Sequence, residues 1–172
     1  MILADPHSER DYYGCVFCYS TREKTVARAL EEQFPEVKAT TASQIKHKSE
    51  QGRKYTVEHI LLPGYVFFRS QAELPANPFH MHNIIRLLKN SEGSWQLMGR
   101  DEQFARFVFE YDGVIGLSQA RKAGDKVKIL SGPLKELEGY IIKVDRRARN
   151  GQVEFRFDDR VWKVWLAFEL ME

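Results

Sequence analysis

Residues 124–144 constrain the fold of this chain more than any other stretch. Val127 and Ile129 alternate with Lys126 and Lys128, the period of a strand with one face buried. Ser131-Gly132-Pro133 stops that strand, because glycine reaches positive φ and proline fixes its own φ. A second strand opens after Gly139, in Tyr140-Ile141-Ile142-Lys143-Val144. Further strands are expected near 152–157, 161–166 and 168–171, with Asn150-Gly151 as a two-residue hairpin signal. Residues 123–172 therefore read as a small all-β barrel.

The preceding residues alternate strand and helix patterns. Tyr12–Cys18, rich in aromatic and small residues, reads as a strand. Ser20-Thr21-Arg22-Glu23 has the form of a capping box, with Ser20 and Glu23 exchanging backbone bonds. Val26, Leu30 and Phe34 recur at intervals of four, so an amphipathic helix is expected over 21–34, ended by Pro35. A second strand is expected over 37–48, a turn at 49–52 and a third strand over 53–60. Pro63-Gly64 breaks the chain before Tyr65-Val66-Phe67-Phe68, a run of high strand propensity. The proline-bearing stretch 71–83 reads as loop and 84–89 as a short strand. Asp101 is placed to cap a helix carrying Phe104, Phe107, Val108 and Tyr111 on one face, which Asp112-Gly113 ends. The expected organisation is a tail over 1–11, an α+β module over 12–112, a linker over 113–122 and the barrel over 123–172.

Net charge is +2, unevenly placed. Residues 121–172 hold 12 Lys/Arg against 9 Asp/Glu, giving +3, and the rest of the chain holds 14 against 15, giving −1. A mildly basic second half suits nucleic-acid contact, and equally an ordinary solvated surface. No apolar run approaches the roughly 20 residues of a membrane span. Met1 to Asp11 is too polar for a signal peptide. With Cys15 and Cys18 the only cysteines, a reducing cytoplasm is expected.

The segments together resemble the NusG family of transcription factors. The spacing of Gly124-Asp125, Val127, Gly132, Gly139 and Val144 is similar to a KOW motif. Tyr12-Tyr13 followed at once by a helix, and Leu62-Pro63-Gly64-Tyr65-Val66, resemble the family's NGN domain. The resemblance implies an α+β fold, with an NGN-type antiparallel sheet and flanking helices followed by a KOW β-barrel. Ile84-Ile85-Arg86-Leu87-Leu88, Ile115-Gly116-Leu117-Ser118, and Gly132-Pro133-Leu134-Lys135 through Asp145-Arg146-Arg147 look most like the LoaP branch of specialised paralogs. That branch implies antitermination at a few long operons, with an RNA hairpin as the loading signal.

The family implies an apolar concavity that docks on the coiled-coil clamp helices of RNA polymerase. The matching positions are Tyr13, Leu62, Pro63 and Tyr65. Docking of that kind needs rigid apolar side chains left partly uncovered. The opposing reading is sheet core, since Tyr65 and Phe67 share one strand face and Val66 and Phe68 the other. On the docking reading, Tyr65→Ala spares the fold.

Two basic clusters are candidates for RNA. Lys46, Lys48, Arg53 and Lys54 flank the turn near 49–52; Lys143, Arg146, Arg147 and Arg149 crowd the barrel hairpin. Arginines on a turn fork onto phosphates or stack on bases, and a folded RNA hairpin offers both. Charged turns are also ordinary solvated surface. Some NusG relatives hold a small-subunit ribosomal protein through an apolar barrel loop. Phe157-Asp158-Asp159-Arg160 stands there, and its two carboxylates make that contact doubtful.

Other signals are set aside. Cys15 and Cys18 lie three apart on a strand, so they face opposite ways, and no second pair completes a zinc site. They are expected to be core residues, and no metal or cofactor is expected. Phe104, Phe107 and Tyr111 at helical spacing read as core. Trp162 and Trp165 are expected on opposite faces, one of them core. Gly132-Pro133-Leu134-Lys135 lacks the pattern of a phosphate loop, and no nucleophile elbow occurs. The expectation is a non-enzymatic, monomeric bacterial elongation factor, nucleoid-associated through RNA polymerase, with no membrane partner. Its rivals are a general NusG-type factor, a paralog that reads non-template DNA, and a ribosome-associated KOW protein.

Overall fold

The computed structural model describes residues 10–172. Of the expected tail, only Arg10 and Asp11 are among the described residues. In chain order the elements begin with strand β1 (Tyr12–Cys18), helix α1 (Glu23–Gln33) and strands β2 (Val37–Thr41), β3 (Ser43–Glu50), β4 (Arg53–Ile60), β5 (Tyr65–Ser70) and β6 (Ile84–Leu87). Helix α2 (Gly99–Glu110) and strands β7 (Val114–Ile115), β8 (Ser118–Ala123) and β9 (Lys126–Ser131) follow. Helix α3 (Pro133–Glu136), a 3-10 turn (Glu138–Tyr140) and strands β10 (Ile141–Asp145), β11 (Asn150–Phe157) and β12 (Arg160–Met171) complete an α+β chain. It divides into two compact units. One comprises the described residues up to Thr41 with Leu62–Phe109, and the other comprises Ala42–Leu61 with Glu110–Glu172.

The first unit is an antiparallel sheet in the order β2-β5-β1-β6. Strand alternation sends Val16, Cys18, Val66 and Phe68 to one face, where Val26 and Leu30 of α1 close over them with Leu74 and Trp95. The spacing of four that marks α1 in the sequence is the spacing it buries. Gly14 lies directly beneath Phe68, and a Cβ there would overlap the ring. The other face carries Tyr13, Phe17, Tyr65 and Phe67. Helix α2 covers part of it, with Phe104 5.7 Å from the Phe67 ring and Phe109 5.8 Å from that of Tyr13.

The second unit holds a three-stranded sheet, β4-β3-β7, and a five-stranded sheet, β10-β11-β12-β8-β9. Strand β12 pairs antiparallel with β11 and parallel with β8. Val153, Phe157, Leu166 and Phe168 are buried. At Gly132-Pro133 the chain leaves β9 and forms α3. There Leu134 donates its N–H to Ser118 Oγ at 2.9 Å, and its buried side chain packs over Gly151.

The structure departs from the sequence expectations at six places, one being that 161–166 and 168–171 form a single strand, β12. The stretch 37–48 is two strands, β2 and β3, which part at the buried Ala42 and enter different sheets. Helix α1 has no side-chain cap, because its cap position is Arg22, which has no acceptor, and the Glu23 carboxylate is bonded elsewhere. Helix α2 starts at Gly99, so Asp101 sits in its first turn, where a carboxylate meets the positive end of the helix dipole. The expected linker over 113–122 carries β7 and β8, which complete the ladders of the second unit. Asn150-Gly151 opens β11; the turn before it is 146–149, between the paired Asp145 and Asn150. Gly124-Asp125 is a two-residue turn between the paired Ala123 and Lys126, and two more fall at Gln51-Gly52 and Asp158-Asp159. All four residues of these last two have positive φ, 50° and 78° in Gln51-Gly52 and 56° and 55° in Asp158-Asp159, as a hairpin turn that follows strand twist requires.

Candidate functional surfaces

The Pro63-Gly64 bend joins the two halves of the expected docking patch. Gly64 has φ 89°, and a Cβ there would strike the Phe17 ring. Cys18 donates its N–H to Gly64 O at 2.7 Å, which holds the bend against the end of β1. Gly64 in turn donates its N–H to Glu23 Oε1 at 2.8 Å. Glu23 is 2% exposed, so this charge-assisted bond is shielded from water. The carboxylate that the sequence assigns to a helix cap therefore anchors the bend. Sequence spacing alone did not reveal that role, which depends on the 41-residue separation closed by the fold.

The side chains expected to dock are mostly covered. Leu62 is 0% exposed, Tyr65 1% and Tyr13 6%, and only Pro63 among the four is exposed. The Tyr65 ring centroid lies 5.0 Å from that of Phe17, and Arg106 stacks over Tyr13 at 4.8 Å. Tyr65 is core, and the expectation of an uncovered patch centred on it is corrected. The cause is that both faces of this sheet are packed: Tyr65 shares with Phe67 the face on which Phe17 and helix α2 lie, and Val66 and Phe68 are buried on the other. The exposed apolar groups near the bend are Pro63 and Tyr19, which directly follows the bonded Cys18 and is 57% exposed.

The β3–β4 hairpin sorts the first basic cluster by register. Glu50 pairs with Arg53, Lys48 with Tyr55, Lys46 with Val57 and Gln44 with His59, so these eight residues share one face. Ser49 pairs with Lys54 and His47 with Thr56 on the opposite face. There His47 Nε2 lies 3.0 Å from Phe168 O of β12. Lys46, Lys48 and Arg53 are brought together, and Lys54 is separated from them. Tyr55, 40% exposed and directly across from Lys48, was missed by the sequence reading. The alternation of β4, counted from Gln51-Gly52, is the signal that finds it.

The second cluster forms a loop. Lys143 in β10 is exposed, as are Arg146 and Arg147 in the 146–149 turn. Asp145 Oδ1 accepts the N–H of Ala148 at 2.9 Å and tightens the turn. Arg149 is half-buried with φ 58°, and its carbonyl accepts the N–H of Phe168 at 2.9 Å. Its backbone is thus committed to the fold. At the far end of β11, Asp158 and Asp159 have a conformational reason for being there, since Asp tolerates the left-handed region better than most residues.

Cys15 and Cys18 are both buried. Burial, reinforced by the Glu23 carboxylate, pushes the Cys18 thiol up to about 11. Among the described residues no group of three or more His, Cys, Asp and Glu could hold a metal ion. No described helix is long and apolar enough to cross a membrane. Phe104 and Phe107 are half-buried rather than core, and Tyr111 donates its hydroxyl to Glu136 Oε1 at 2.7 Å. Desolvation and that carboxylate raise the Tyr111 phenol above its ordinary value. Trp162 and Trp165 are both half-buried, and Trp162 Nε1 donates to Phe157 O at 3.0 Å.

No curated protein sequence matches the chain. Among solved structures, one described as "Domain interaction in Thermotoga maritima NusG" is similar with a TM-score of 0.50. It is 18% identical, and the match covers 92% of this chain and 94% of that one. At that identity the likeness concerns the fold, an NGN-like sheet with a KOW-like β-rich region after it. The family model described as "Transcription termination factor nusG" matches residues 11–112, more than half of the chain. The chain belongs to the NusG family of transcription factors.

Proposed function

We propose that this chain is a non-enzymatic elongation and antitermination factor that docks on the clamp helices of RNA polymerase and is recruited by a nascent RNA hairpin, as a LoaP-type paralog. The observation that carries the reading is the family match over residues 11–112. On the docking side, Tyr13, Leu62 and Tyr65 act from beneath, as the packed support of the Pro63-Gly64 bend. The contact area comes from Pro63 with Tyr19 beside it. On the RNA side, the two basic surfaces supply phosphate contacts, from Lys46, Lys48 and Arg53 on the hairpin and from Lys143, Arg146, Arg147 and Arg149 on the barrel turn. Lys54 belongs to the hairpin's other face and contributes least.

The factor works by population shift: it binds the closed, processive polymerase better than the open, pause-prone one. The RNA contact raises its effective concentration at chosen operons without tightening the polymerase contact itself. Single-round transcription with a purified elongation complex tests this, on a terminating template with and without an upstream hairpin sequence. Readthrough should rise with the factor, and at lower factor concentration when the hairpin is transcribed. Equal readthrough on both templates would leave a general elongation factor. Retention of single-stranded DNA in preference to hairpin RNA would leave a DNA reader, and absence of any effect on polymerase would refute the whole reading.

A further inference from the structure

We propose that the outward face of the β3–β4 hairpin binds unpaired nucleotides, with Tyr55 as the platform on which a base stacks and Lys46, Lys48 and Arg53 holding the adjoining phosphates. This rests on the nucleic-acid reading above and narrows it from folded RNA in general to single-stranded segments.

The face is defined by register. Its opposite side is tied to β12 through the His47 contact with Phe168 O, so Lys46, Lys48, Arg53 and Tyr55 point away from that attachment. Strand β4 is the edge of its sheet, which leaves the ribbon open along one side. Among the described residues none of the three cations has an ion-pair partner. Glu50 stands opposite Arg53, yet its Oε2 accepts the Tyr55 hydroxyl at 3.4 Å instead. Three like charges held on one strand face with Glu50 as the one carboxylate among them still repel each other, and a polyanion relieves that repulsion. Between them lies a large aromatic side chain that is 40% exposed.

That combination selects the form of nucleic acid. A ring at a solvent-facing strand position presents a π-face, and stacking on it needs a base that has left its own stack. Duplex RNA offers no such base, and its deep, narrow major groove is closed to side chains. A loop, a bulge or an unpaired tail offers both the free base and the flanking phosphates.

The test uses the full chain and fluorescence anisotropy with two labelled probes, a short oligouridylate and an RNA duplex of the same length. The oligouridylate should bind more tightly. Tyr55→Ala should weaken that binding about tenfold, leave the salt dependence and the duplex affinity where they were, and be rescued by Tyr55→Phe, which keeps the ring. Replacing Lys46, Lys48 and Arg53 together by Gln should instead flatten the log–log salt slope by about 2. The urea midpoint of each variant confirms that the fold persists. If Tyr55→Ala leaves oligouridylate affinity unchanged, or the duplex binds as tightly as the single strand, the stacking proposal is wrong; the wider nucleic-acid reading then survives as long as hairpin RNA is retained. A wild-type chain that binds neither probe nor a hairpin RNA removes both.

Discussion

Tyr65 shows how a single side chain can belong to the fold while its neighbours belong to a surface. Its ring is 1% exposed beside Phe17, whereas Tyr19 near the same bend is 57% exposed. Replacing Tyr65 with Ala should cost about 3 kcal/mol, the order seen when a buried aromatic is truncated, read as a lower urea midpoint. Tyr19→Ala should leave that midpoint in place and weaken retention on purified polymerase. An unchanged midpoint for Tyr65→Ala would contradict the core assignment. Cys18 makes a second prediction at this scale. Its thiol rises from an ordinary 9.0 to about 11 in the fold, so between those values the unfolded chain loses a proton that the native chain keeps. The contribution to stability is fully present below pH 9 and is lost as pH rises toward 11. A wild-type urea midpoint that falls over that window, with a smaller fall in Cys18→Ala, checks it. Equal falls in both would assign the loss to other groups.

Among the elements, the β3–β4 hairpin carries the most weight in the proposed RNA contact, and its tight turn decides which residues share a face. With Glu50 paired to Arg53 around Gln51-Gly52, a shift of one residue would move Lys54 to the face of Lys48 and remove Arg53 and Tyr55 from it. The observed register makes a distinction that composition does not. Lys48→Gln should weaken binding of hairpin RNA and lower its salt slope by about 0.7, while Lys54→Gln should leave both nearly unchanged. Equal effects of the two would mean that nonspecific charge governs binding. The positions of the elements were largely legible in the sequence, because β1, α1, β4, β5 and β6 each follow from a period and a breaker. The break at Ala42 was not. Residues 37–48 keep strand character throughout, and only pairing with two different partners, β5 and β4, divides them.

At the scale of the molecule, one unit supplies the packed sheet around the bend and the other supplies both basic surfaces. The hairpin 42–61 belongs to the same compact unit as the barrel strands, although it is interposed between β2 and β5 in sequence. On the proposed RNA reading, cations on two separate sheets of that unit would make RNA affinity strongly salt-dependent. If the barrel turn contributes its share, replacing Arg146, Arg147 and Arg149 together by Gln should reduce the log–log slope by about 2, measured by titrating hairpin RNA at several ionic strengths. A slope indifferent to the triple change would remove the turn from the RNA surface and leave the hairpin alone to carry it.

The sequence by itself determined the α+β class, the order of most elements and the family resemblance, because each of these rests on local periodicity and turn chemistry. It also named the residues of the bend and of both basic clusters. Only the tertiary structure decided which of those residues face outward. Strand alternation and helix packing cover Tyr13, Leu62 and Tyr65, Glu23 reaches across the chain to hold Gly64, and cross-strand register gathers Lys46, Lys48 and Arg53 around Tyr55 while sending Lys54 away. Exposure depends on partners distant in sequence, which no local pattern encodes, whereas the hairpin register follows from its tight turn once that turn is placed.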